Sequence, residues 1–323
     1  RYASIQQDLE ALKELAGILI RMRHREGAMD LDVGEAEVVF NEDGVVVDLV
    51  RRPRLFSHRV VEQAMILANE AVASKIARHH VPTLYRIHEQ PSQEKLRALI
   101  PVLVHFGLHL PPQSHITPAH LQNVLGKTEG MGEVGPILRR VVLRAMMKAC
   151  YSPDNLGHYG LGSRCYCHFT SPIRRYPDLI VHRTLKMILK GEHRDAEAVK
   201  EWGQPLASLG EYCSGQERVS ADIEYESTAL KGMEFMWRFL GQEFDGIICS
   251  ITNFGFFVEL IDYPIEGLVP VNSIGGEFWD FDEAGLRLIG RTTGRAFRLG
   301  DQVRVSIETI DIPNRRMELT LVR

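Results

Sequence analysis

The 323 residues are 45% hydrophobic and 25% charged, with a formal net charge of −4. That is enough apolar material for one to three packed domains, and no stretch approaches the ~18 uncharged apolar residues of a membrane span. The five cysteines (Cys150, Cys165, Cys167, Cys213 and Cys249) are odd in number and scattered, which argues against a secreted disulfide scaffold and for a reducing, cytoplasmic setting.

The chain opens on Arg1-Tyr2-Ala3-Ser4-Ile5, neither a starting methionine nor a signal peptide, so it is expected to begin inside a longer one. Residues 5–26 place Leu9, Leu12, Leu15, Ala16 and Leu19 at helical spacing. The β-branched runs 36–40 and 45–50 flank Asn41-Glu42-Asp43-Gly44, a hairpin signal. A helix capped by Ser57 follows, with Val61, Met65, Ala68 and Val72 expected inward. Pro118 and Gly126 bracket a short helix, and residues 136–149, 177–190 and 215–240 complete the helical set, with Gly191 as a terminator. Beyond Gly241, five short strands (244–251, 256–260, 266–271, 302–310 and 317–322) suggest a small closed barrel of the oligonucleotide-binding type. The expected domains are 1–240 and 241–323. The second is acidic, with 8 arginines, no lysine and 13 acids.

Two basic clusters stand out: Arg51-Arg52-Pro53-Arg54 with Arg59, and Arg174-Arg175 with Arg183. Each alone reads more readily as solvated surface than as a phosphate site. The second lies in His168-Phe169-Thr170-Ser171-Pro172-Ile173-Arg174-Arg175-Tyr176-Pro177-Asp178-Leu179-Ile180-Val181-His182-Arg183. Here guanidinium groups and free backbone N–H donors gather at a helix start opened by Pro177, which suits a phosphate. The plainer alternative is a capped helix with salt-bridged arginines.

This segment resembles the signature of the ribonuclease II/ribonuclease R family, its RNB domain, and more its ribonuclease R branch. Gly157 with Tyr159-Gly160-Leu161, Leu84-Tyr85-Arg86-Ile87-His88-Glu89, and Arg59-Val60-Val61-Glu62-Gln63-Ala64-Met65 resemble family segments in the same order. The region after Gly241 is similar to the S1 RNA-binding domain that follows. The resemblance implies an α+β fold: the C-terminal portion of an RNB domain, with helices on a partial sheet, then a five-stranded S1-type barrel. It also implies a processive 3′→5′ exoribonuclease that hydrolyses single-stranded RNA to nucleoside 5′-monophosphates with two Mg²⁺ ions about 4 Å apart.

In the family those ions are held by a D-x5-D-x-D-D motif, which this sequence lacks; Asp30-x-Asp32 is the nearest acidic pair and does not match it. The expectation is a chain without metal ligands, inactive alone, whose partners are single-stranded RNA and the missing N-terminal part of its own catalytic domain. The resemblance gives Arg174 the scissile phosphate, Glu62 the ribose hydroxyls and Glu224 the terminal nucleotides. Arg175 and Tyr176 share the motif as substrate-side residues, though they and His182 are equally packing or supporting groups, and Phe254 and Phe257 are the expected exposed barrel aromatics. Two positions depart from the family: Leu31 stands where an aromatic usually stacks, and Pro270 where the barrel face often has histidine. A non-catalytic RNA-binding adaptor is the alternative, against which the intact Arg174 segment counts.

Overall fold

A computed structural model describes residues 3–30, 34, 36–282 and 285–322. A 3-10 turn (Ala3–Ile5) leads into helix α1 (Gln6–Glu26), followed by a hairpin of β1 (Ala36–Phe40) and β2 (Val46–Arg51) and by helix α2 (Phe56–Arg78). Strand β3 (Tyr85–Ile87) pairs antiparallel with β4 (Cys150–Ser152), and between them lie α3 (Gln93–His105), α4 (Pro118–Thr128) and α5 (Val134–Ala145). Helices α6 (Tyr176–Lys190), α7 (Ala196–Gly203) and the long α8 (Leu206–Met236) complete the helical layer.

Several boundaries differ from the sequence expectation. Leu55, not Ser57, holds the N-cap position of α2, and its amide donates to His58 Nδ1 at 3.3 Å. The buried side of α2 is Gln63, Ile66, Asn69, Ala73 and Ile76, while Val61 is 59% exposed. The expected apolar stripe is therefore rotated, because the helix buries two amides. Gly126 lies inside α4, and α3, with Pro101 in its interior, was not foreseen. Gly191 does end α6, at φ +80°, a left-handed conformation that glycine adopts without Cβ strain. On α1, only Ala16, Leu19 and Arg23 are buried, and the predicted Leu9, Leu12 and Leu15 remain exposed.

The barrel is closed, in the order β11-β12-β7-β6-β5, from β5 (Glu243–Thr252), β6 (Gly255–Leu260), β7 (Glu266–Pro270), β11 (Gln302–Asp311) and β12 (Arg316–Leu321). These are the five strands the sequence suggested. Between β7 and β11 come the short α9 (Val271–Ile274) and a three-stranded sheet of β8 (Trp279–Asp282), β9 (Arg287–Gly290) and β10 (Ala296–Arg298), which it did not. At Gly255, φ +151°, an added Cβ would stand 2.2 Å from Val269 O, so the tight β5–β6 turn requires glycine there.

Barrel and helical layer share apolar cores. Val46 and Leu49 of the hairpin and Met233, Phe235 and Met236 of α8 join the barrel interior of Ile248, Phe256 and Leu319. Val102 of α3 and Ile137 of α5 pack with Ile247, Cys249 and Leu299 on the barrel's outer side.

Candidate nucleic-acid site

Helix α2 borders a cleft of about 410 Å³ with His58, Val61, Glu62, Met65, Ile66 and Asn69, and Tyr166 and Arg175 complete the lining. Asn69 is almost fully buried beneath it. Its Nδ2 donates to Tyr166 Oη and its Oδ1 accepts from Phe169 N, both at 2.9 Å. One buried amide thus ties α2 to the strand-like segment that leads into the arginine turn, and each of its polar atoms replaces a lost water contact.

The turn itself is built by hydrogen bonds. Ser171 O accepts from Arg174 N at 3.2 Å and from Arg175 N at 3.1 Å, while Ser171 N donates to Asp178 Oδ1 at 2.7 Å. Asp178 is fully buried and also receives Arg175 Nε and Nη2, each at 2.9 Å. The adjacent Arg174 is exposed, and its guanidinium forms no hydrogen bond or ion pair among the described residues. Tyr176 is the first residue of α6, with Pro177 second, and is 46% exposed. His182 Nε2 donates to Phe169 O at 2.9 Å and stacks on the Phe169 ring, so it serves the turn's packing.

A buried aromatic cluster supports the segment from below. Tyr151 Oη meets His168 Nδ1 at 2.9 Å, and Arg86 lies 4.6 Å over the Tyr151 ring while its guanidinium bonds Glu217. Burial pushes His168 down to about 2, helped by the charges of Arg175 and Arg86, and pushes His158 down to about 3, helped by His88 and Arg86. Both rings are therefore neutral packing groups at neutral pH.

At the cleft's edge Arg54 bridges two acids: Nη1 to Asp30 Oδ1 at 2.7 Å and Nη2 to Glu62 Oε2 at 2.5 Å, with Arg59 3.5 Å from Asp30 Oδ2. Burial opposes the Arg54 charge, but the bonds from Glu62 and Asp30 outweigh it and raise Arg54 above its ordinary value. Arg54 and Arg59 are thus part of a charge network, where the sequence alone suggested free basic surface. Asp30 is engaged by two arginines, and among the described residues no three His, Cys, Asp or Glu side chains converge on a common point. The described residues do not fit a divalent-ion centre. Leu31 and Asp32 lie outside the described residues.

Of the residues singled out from sequence, Glu62 and Arg175 share the cleft. Glu224 does not line it; it lies on an exposed stretch of α8, two residues before Glu226, which pairs with Arg315 of the barrel at 3.4 Å. On the barrel, Phe256 is fully buried and Phe254 is 52% exposed. Phe257 is only half-buried rather than open, because that side of the barrel packs against the Val102 and Ile137 cluster. Asn69, Tyr166 and His58 were not foreseen, and Met65, expected to face inward, lines the cleft. The one available signal was Asn69, a poor helix former inside a helical, mostly apolar run.

A helical layer on a small sheet, an arginine turn beside a cleft and an attached oligonucleotide-binding barrel define a two-part nucleic-acid-handling protein. Residues 1–191 match the RNB domain and residues 238–321 the S1 RNA binding domain, and the chain belongs to the RNB domain family. It is 39% identical over 322 residues to ribonuclease R of Aquifex aeolicus, covering 100% of this chain and 45% of that protein. The apo form of Mycoplasma genitalium RNase R superposes with a TM-score of 0.91 at 27% identity, covering 97% of this chain and 49% of the other. The same enzyme in complex with ribose methylated single-stranded RNA matches with the same figures. The chain thus spans less than half the length of these relatives. Among the described residues no helix is long and apolar enough to cross a membrane.

Proposed function

We propose that this chain forms the RNA-holding, phosphate-facing part of a 3′→5′ exoribonuclease that hydrolyses single-stranded RNA to nucleoside 5′-monophosphates in the cytoplasm. The observation that carries the reading is the division of labour between two adjacent arginines: Arg175 is tied to buried Asp178, and the Arg174 guanidinium is unengaged among the described residues. A guanidinium held on a rigid turn and not neutralised by a carboxylate is suited to phosphoryl oxygens, on which charge develops during hydrolysis. Arg175 and the Ser171–Asp178 bonds keep that turn in place.

The Glu62 carboxylate, steadied by Arg54, is an acceptor for a ribose 2′-hydroxyl, the group that distinguishes RNA from DNA. Phe254, with Phe257 beside it at 6.2 Å, offers a stacking surface on the barrel. Tyr176 and Glu224 are assigned to the substrate side on family position. The Mg²⁺-binding aspartates are assigned to the N-terminal part of the catalytic domain, outside these 323 residues, which leaves the chain inactive alone. The exposed apolar face of α1 (Leu9, Leu12, Leu15, Ile18 and Met22) supports docking of that part.

The test is binding of the chain to matched single-stranded RNA and DNA. The reading expects RNA to bind more tightly and Glu62→Gln to narrow the gap, with Arg174→Ala weakening both. Equal binding of RNA and DNA by the unmodified chain would contradict it.

A further inference from the structure

Glu259 lies on β6 between the fully buried Val258 and Leu260, and its side chain is only 9% exposed. A carboxylate so enclosed is unfavourable unless it is paired and hydrogen-bonded. Its partners come from two separate elements of the helical layer. Oε1 accepts from Arg51 Nη2 at 2.7 Å, at the end of β2, and Oε2 accepts from Arg140 Nη2, on α5. Burial opposes the Arg140 charge, and the Glu259 bond overcomes it, raising Arg140 above its ordinary value. One barrel carboxylate therefore joins the hairpin and α5 at a single point.

The surrounding apolar contacts are of a different kind. Ile247 and Leu299 against Val102 and Ile137 keep barrel and helical layer together, but such contacts are non-directional. A charged fork that ties β6 to a strand and a helix at one point specifies register. Arg51 also stands three residues before Arg54, the side chain that pairs with Glu62 and Asp30 at the cleft. The barrel's seat is thereby connected through a short piece of chain to the candidate RNA site.

We infer that Glu259 is a positioning residue: through Arg51 and Arg140 it seats the barrel so that one RNA strand spans both the barrel aromatics and the Glu62 cleft. It acts without touching RNA. This rests on the RNA-holding function proposed above.

The test compares the whole chain with its Glu259→Gln variant on two oligouridylates, one of about 4 nucleotides and one of about 16. The unmodified chain binds the longer at least about tenfold more tightly, because both surfaces are engaged at once. In Glu259→Gln that advantage falls below about threefold with the short oligomer's affinity unchanged. Arg140→Gln behaves alike, and the double variant is no worse than either single. An undiminished length advantage, or equal weakening of both oligomers, overturns the inference. Should Glu259→Gln fail to fold, Arg51→Gln, which leaves Glu259 its Arg140 partner, is read in the same way. If the unmodified chain binds neither oligomer, it is the RNA-holding reading that fails. Urea unfolding then decides the positioning role: one transition in the unmodified chain must become two in the variant, and a single transition in both overturns it.

Discussion

Arg175 and Asp178 form a closed two-point pair, Nε to Oδ2 and Nη2 to Oδ1, both at 2.9 Å, with the carboxylate fully buried. The pair makes two neighbouring arginines behave oppositely. Arg175→Ala strands a buried charge and should cost about 3–5 kcal/mol of folding stability. Arg174→Ala removes a guanidinium with no hydrogen-bond or ion-pair partner among the described residues and should change stability by less than about 0.5 kcal/mol, while lowering the rate of a reconstituted, active enzyme by on the order of 10²–10³. Chemical denaturation of the two variants beside single-turnover RNA cleavage checks this, and equal destabilisation would refute the division.

Asn69 is the joint between α2 and the arginine turn. Asn69→Ala leaves Tyr166 Oη and Phe169 N without their partners and should destabilise the chain by about 1–3 kcal/mol. Tyr166→Phe removes only the hydroxyl half of that joint and should cost less. Denaturation midpoints of the two variants give the order.

The half-buried His158 and His168 make stability depend on pH. In the folded chain His158 and His168 sit at about 3 and about 2, chiefly through burial. The unfolded chain takes up protons as pH falls through about 6.5, and the folded one does not, so stability is level above that point and falls with pH below it. At pH 5 each ring should account for about 2 kcal/mol lost relative to pH 7.5. Urea denaturation at the two pH values measures the difference, and His168→Gln should remove one ring's share. Equal stability at both pH values would rule the account out.

Much of this was legible in the sequence. The five barrel strands follow from β-branched runs between turn residues, and Gly191 marks the end of α6 as glycine should. What was not legible has particular causes. The α2 stripe was misplaced because its core side contains the amides Gln63 and Asn69, and the burial of Asn69 depends on partners about 100 positions away in the chain, Tyr166 and Phe169. The pairing of Arg54 with Asp30 and Glu62 is likewise a tertiary event, so the cluster looked like open basic surface. Helix α3 was hidden by Pro101, a residue that local propensity places outside helix interiors. The arginine turn was recognisable, but only the fold separates pinned Arg175 from unengaged Arg174.

On the barrel, Phe254 is exposed and makes its ring contact edge-on with Phe257. Phe254→Ala should weaken single-stranded RNA binding by about 1–3 kcal/mol with little change in stability. Fluorescence anisotropy with a labelled oligomer reads the loss, and unchanged affinity would place the RNA elsewhere on the barrel.

The apolar face of α1 should make the isolated chain self-associate at micromolar concentration. Leu9→Glu with Leu12→Glu should reduce association, since both side chains are exposed. Sedimentation velocity distinguishes the outcomes, and a monomeric, protease-resistant unmodified chain would contradict the docking role of this face.

The most direct measurement follows 5′-labelled single-stranded RNA with Mg²⁺ in three samples: this chain alone, the chain joined to an aspartate-bearing N-terminal RNB segment of a relative, and the joined protein carrying Arg174→Ala. The account predicts binding without shortening by the chain alone, stepwise shortening from the 3′ end by the joined protein, and loss of that shortening in the variant. Shortening by the chain alone, or full activity after Arg174→Ala, would contradict it.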